Sequence, residues 1–84
     1  MSNHLSLIKA ETRFTKWFRG DIKPAHPGVY QRDNGDQTGT SYSLWNGEFW
    51  CVGRDTASAA ARMRNQHSYF QNHAWRGLLK ETKA

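Results

Sequence analysis

Apolar and polar positions alternate most clearly between Tyr42 and Val52, where two aromatic-rich runs flank an Asn46-Gly47 pair. Such a pair between strand-like runs is the strongest short-range signal for a two-residue hairpin loop. Loop length fixes the pairing register, and register assigns each side chain to a face. Pairing outward from the turn sets Trp45 opposite Glu48, Leu44 opposite Phe49, Ser43 opposite Trp50 and Tyr42 opposite Cys51. Tyr42, Leu44, Phe49 and Cys51 then form one face, suited to a core. Ser41, Ser43, Glu48, Trp45 and Trp50 form the other, with the two indoles in diagonal reach. Two accounts of that tryptophan face stand. The chain's own aromatic termini cover it, since large exposed apolar patches are uncommon on monomers, or the rings anchor a partner, since Trp is enriched at binding hot spots.

The flanking segments supply the other elements. Gly28 opens a strand through Val29, Tyr30, Gln31 and Arg32, and the polar turn formers from Asp33 to Gly39 close it. With Tyr42–Trp45 and Glu48–Val52, this makes a three-stranded antiparallel meander the economical topology. Asp55 is placed to cap a helix reaching Asn65, whose alanines (Ala57, Ala60, Ala61) let it sit close against a sheet. Arg62 and Arg64 fall in its last turns, where the helix dipole favours cations. Tyr69, Phe70 and Trp75 lie in a tail too aromatic to be disordered, which is expected to pack back. Upstream, Phe14, Trp17 and Phe18 follow the spacing of one helical face, yet Arg13–Arg19 reads equally as an extended edge strand. Pro24 and Pro27 make the stretch between Gly20 and Gly28 irregular. The fold class expected is therefore α+β: a small three-stranded antiparallel β-meander with one α-helix packed on it and an aromatic C-terminal segment. Residues 1–12 are expected to be a flexible N-terminal segment, 13–79 a single compact domain, and 80–84 a C-terminal tail.

Composition narrows the function classes. An 84-residue chain holds one small core, and four Trp, three Tyr and four Phe must fill much of it. Its single cysteine excludes an intramolecular disulfide and fits a reducing compartment. No apolar stretch approaches a membrane span and none forms a signal-peptide core, so a cytoplasmic protein without a membrane partner is expected. Twelve Lys and Arg against seven Asp and Glu give a formal charge of +5, which favours acidic partners. Lys9, Arg13, Lys16, Arg19 and Lys23 cluster in the first quarter as a candidate basic patch.

Specific chemistries find little support. His4, His26, His67, His73 and Cys51 do not fall at zinc-site spacing, so no metal is expected. An EF-hand starting at Asp33 requires its closing carboxylate where Leu44 stands. Cys51 is the only thiol nucleophile, and the register places it among apolar neighbours, where a thiol is a small core residue. No glycine-rich phosphate loop is present. Neither a catalytic residue nor a cofactor is therefore expected, and the chain reads as non-enzymatic. Binding fits better. Tyr30, Arg32, Trp45, Trp50 and Arg54 would make a platform for single-stranded bases if they shared an exposed face. Trp45, Trp50 and the Trp75-Arg76 pair are the candidates for protein recognition.

The arrangement Trp17-Phe18, Lys23-Pro24, Gly28-Val29-Tyr30, Tyr42 through Trp50 and Trp75-Arg76-Gly77-Leu78 resembles small uncharacterised proteins encoded by bacteriophages and prophages. The resemblance spans about residues 15–79 and carries no activity-defining motif. It implies a bacterial host cytoplasm and an accessory protein acting on host machinery, a class that includes non-catalytic anti-restriction and anti-CRISPR inhibitors. The basic charge departs from the acidic DNA-mimic type. The expectation is a non-enzymatic binding protein engaging a host protein or ribonucleoprotein machine through Trp45, Trp50, Trp75, Arg76, Arg54 and Arg32. The alternative is direct nucleic-acid binding through a basic and aromatic sheet face.

Overall fold

The computed structural model describes residues 12–35 and 39–80. They form β1 (Thr12–Phe14), β2 (Gly28–Asp33), β3 (Thr40–Trp45), α1 (Ala57–Ala60), β4 (Trp75–Arg76) and β5 (Leu78–Lys80). Antiparallel strands in the order β3-β2-β4 make a three-stranded sheet, and β1 and β5 pair in a second, two-stranded one. The coarse expectation of an α+β chain with antiparallel strands and one helix holds. The expectations for residues 1–11, Lys9 among them, and for residues 81–84 lie outside the described residues.

The hairpin closes differently from the expected two-residue loop. Trp45 bridges Trp50, leaving Asn46, Gly47, Glu48 and Phe49 in the connection. A type I′ loop needs positive φ at both central residues, and among the described residues only glycines have positive φ, Gly47 at 99°. Asn46 instead turns its side chain onto the loop: its Oδ1 accepts from the backbone N–H groups of Glu48 at 2.8 Å and Phe49 at 2.9 Å. The partner of Trp45 thus moves two residues along. Because side chains alternate with period two, that slip leaves Trp45, Ser43 and Trp50 on one face.

It is this face that holds the core. Trp50 is fully buried, Trp45 is 7% exposed and Trp75 6% exposed, and Phe18 and Tyr30 pack against them. The rings meet edge to face or stacked, with Trp45–Trp50 centroids at 5.2 Å, Tyr30–Trp75 at 5.1 Å and Phe18–Trp75 at 4.5 Å. Such pairs contribute about 0.5–1.5 kcal/mol beyond their buried area. The opposite face, expected to be the core, contributes buried Cys51, while Tyr42, Leu44 and Phe49 are half-buried.

The third strand of the sheet comes from the C-terminal segment. Gln31 and Arg32 pair with Arg76 and Trp75, inserting β4 beside β2. Phe18 lies on the far side of β4, exchanging hydrogen bonds with Trp75 at 2.7 and 3.1 Å. The segment around Phe18 is therefore extended rather than helical. Gly20 permits the close approach, since a Cβ there would sit 1.8 Å from the Asn72 carbonyl oxygen. The expected Glu48–Val52 strand of the meander does not form: residues 50–54 run back along β3 only through the isolated bridges Trp45–Trp50 and Tyr42–Arg54. Between those bridges three residues oppose two, and this extra residue interrupts a regular strand.

The helix is shorter than its alanine content suggests. Thr56, not Asp55, is the N-cap, accepting from the Ala59 N–H at 3.1 Å. Beyond Ala60 the chain continues in tighter turns, Arg62 and Met63 bonding back to Ala59 and Ala60. Only Ala60 is buried in α1, and intrinsic propensity without a buried face does not extend a short helix in water. Among the described residues, no helix is long and apolar enough to cross a membrane.

Candidate anion-binding groove

Beyond the tryptophans, the core face of the sheet turns polar. Ser43 and Ser41 lie opposite Tyr30 and Arg32 on β3 and β2, and the chain from Val52 to Asp55 and from His67 to His73 walls in the space above them. The result is an open-mouthed groove of about 730 Å³.

Arg32 forms part of the lining although only 3% exposed. Its guanidinium stacks on the Trp50 ring with 4.1 Å to the centroid. It donates to the Phe70 carbonyl at 3.3 Å and the His73 carbonyl at 3.4 Å, both long for a charged donor, and its Nε has no partner. Among the described residues no carboxylate forms an ion pair with it, and burial pushes the pKa of Arg32 down to about 10. A buried cation normally keeps a counterion, so Arg32 is undersatisfied. Arg54 adds a second, exposed cation to the lining, with Met63 Sδ at 3.6 Å, and Asp55 supplies one opposing charge. Lys23, behind the same wall, donates to the Gln71 carbonyl and Asn72 Oδ1. The charge of Arg32 contributes to lowering its ammonium below the ordinary lysine value, after desolvation.

The rim is aromatic because of what its neighbours do. Ser68 is buried, and its Oγ accepts from the Phe70 N–H at 2.9 Å. The Gln71 side chain clasps Trp50, donating to the Trp50 carbonyl at 2.9 Å while its Oε1 accepts the Trp50 N–H at 2.9 Å. With Ser68 and Gln71 tied inward, Tyr69 and Phe70 are thrown outward, 88% and 54% exposed. Phe70 also stacks on His73 with ring centroids 5.0 Å apart.

The expected site residues separate sharply. Trp45, Trp50 and Trp75 are core, and the Trp75 indole N–H donates to the Ile22 carbonyl at 2.6 Å, so their expected role as surface anchors gives way to packing. Arg76 is held between Phe14 and Trp17, at 3.9 and 4.5 Å from their centroids, and donates to Gln31 Oε1. Of the expected partner-binding set, Arg32 and Arg54 come together in the groove. In the basic patch Arg19 pairs with Asp21 at 2.6 Å, Lys16 sits over the Phe18 ring, and Lys23 is tied to carbonyls. Arg13 is exposed on β1. Cys51 is buried, its thiol donates to the Arg64 carbonyl, and burial pushes its pKa up, contrary to what a nucleophile needs. Among the described residues, no three His, Cys, Asp or Glu side chains gather as metal ligands.

No family model, curated protein or solved structure matches the chain. Tyr69 and Phe70, expected to pack back with the tail, stand exposed at the rim instead. The signal against that expectation is their adjacency: in extended chain, consecutive side chains face opposite ways and cannot both enter one core.

Proposed function

We propose that this protein is a non-enzymatic binding protein that engages an anionic partner surface through the groove between Arg32, Arg54 and the Tyr69-Phe70 rim. The observation that carries the reading is the pairing of a buried, undersatisfied guanidinium with two large exposed aromatic rings at one opening. Exposed aromatics beside cationic side chains are the composition of binding hot spots, and the chain's positive charge steers acidic partners toward it. In the role implied by the resemblance to phage accessory proteins, the partner is a host protein or ribonucleoprotein in a bacterial cytoplasm. The alternative platform, a sheet face of Tyr30, Arg32, Trp45, Trp50 and Arg54, is disfavoured because the tryptophan rings are buried.

Affinity capture from bacterial lysate, with and without nuclease, tests this reading. A stoichiometric partner retained by the wild-type chain and lost with Tyr69→Ala plus Phe70→Ala is expected. Capture undiminished in that double variant would contradict it.

A further inference from the structure

We infer that the groove is a nucleotide subsite, with Arg32 and Arg54 taking the phosphate and Tyr69 with Phe70 taking the base. This rests on the groove being the binding surface proposed above and adds the class of ligand.

Arg32 defines the phosphate end. A guanidinium offers five N–H donors in a planar fork that matches phosphate oxygens. Here two long bonds to carbonyls leave most of that capacity unused, and Nε is unpartnered. An anion in the groove supplies the missing counter-charge, and Arg54, on the segment bridged to β3, lines the same space. Ser41 and Ser43 line the groove between them and offer hydroxyls to further oxygens.

The rim defines the other end. An acidic peptide answers the cations with its carboxylates and needs separate apolar side chains to cover the Tyr69 and Phe70 rings. A nucleotide answers both, because every base presents a flat face for stacking on an aromatic side chain. Phe70 is already stacked on His73, which holds its ring in place. The groove's volume of about 730 Å³ falls among ligand sites of about 300–1,000 Å³. The nucleotide comes free or as one unit of a single strand.

Fluorescence anisotropy with labelled single-stranded DNA and RNA of about ten nucleotides, at about 50 and about 200 mM salt, tests the assignment. Competition by mononucleotides and by inorganic phosphate separates the sources. The strand is expected to bind, with Tyr69→Ala plus Phe70→Ala weakening it about five- to a hundredfold. Arg54→Gln is expected to reduce the salt slope by about one. Thermal melts confirm that these exposed substitutions leave the fold intact. A mononucleotide that competes identifies a free nucleotide as sufficient, and one that does not identifies the strand as the ligand. The assignment is overturned by absence of binding at the lower salt, by binding that the double variant leaves untouched, or by phosphate displacing the strand as well as a mononucleotide does. A nuclease-resistant partner lost with the double variant, without nucleotide binding, overturns the ligand class alone. Partner capture unaffected by that variant overturns the groove itself.

Discussion

Trp50 is hydrogen-bonded to Ser68 and Gln71, the residues on either side of Tyr69 and Phe70, yet Trp50 is fully buried and Tyr69 88% exposed. The Ser68 N–H donates to the Trp50 carbonyl, and Gln71 bonds to both Trp50 backbone groups. The same clasp that closes the sheet over Trp50 therefore turns Tyr69 and Phe70 out. Aromatic content alone does not divide fold from function here. What divides them is which residues are tied inward: Ser68 and Gln71 are bonded to Trp50, and the two residues between them are turned out. Arg32 stands at the boundary, with its guanidinium on the Trp50 ring and the groove beside it.

Substitutions on the two sides of that boundary are expected to differ most in stability. Trp50→Ala empties the centre of the aromatic cluster and is expected to cost about 3–5 kcal/mol, enough to unfold much of so small a domain. Urea denaturation followed by circular dichroism measures it, and a loss below about 1 kcal/mol would place Trp50 outside the core. Gly20→Ala comes next. Its Cβ would collide with the Asn72 carbonyl oxygen at 1.8 Å, forcing the 70–73 wall away from the N-terminal segment. A cost of about 1–3 kcal/mol is expected, accompanied by faster amide exchange along that wall. Tyr69→Ala with Phe70→Ala is expected to change stability least, within about 0.5 kcal/mol. A larger loss in the same urea titration would make the rim part of the fold.

Much of the division of faces was legible from the alternation between Tyr42 and Val52. The slip from Glu48 to Trp50 as partner of Trp45 preserved parity, so the tryptophans remained together although the loop was longer. Covering of the tryptophan face by the chain's own aromatic segments was one of the two accounts legible in the sequence, and Phe18 and Trp75, remote in sequence, supply that cover. The insertion of β4 beside β2 was hidden, because two residues, Trp75 and Arg76, carry no strand period of their own. Alanine propensity alone overstates the helix, because Ala60 is the only residue of α1 that is buried. Arg32 and Arg54, expected on an exposed sheet platform, meet instead in the lining of the groove. The undersatisfied state of Arg32 depends on carbonyl geometry at Phe70 and His73, which no local pattern encodes.

The allocation of rings between interior and surface is most directly accessible to acrylamide quenching in a Trp17→Phe variant, since Trp17 is the tryptophan with the greatest exposure, at 38%. With Trp45, Trp50 and Trp75 enclosed, quenching of the folded variant is expected to be several-fold weaker than that of the same chain unfolded in urea. Quenching equal in the two states would mean that the tryptophan face is open, and would return the binding site from the groove to the sheet.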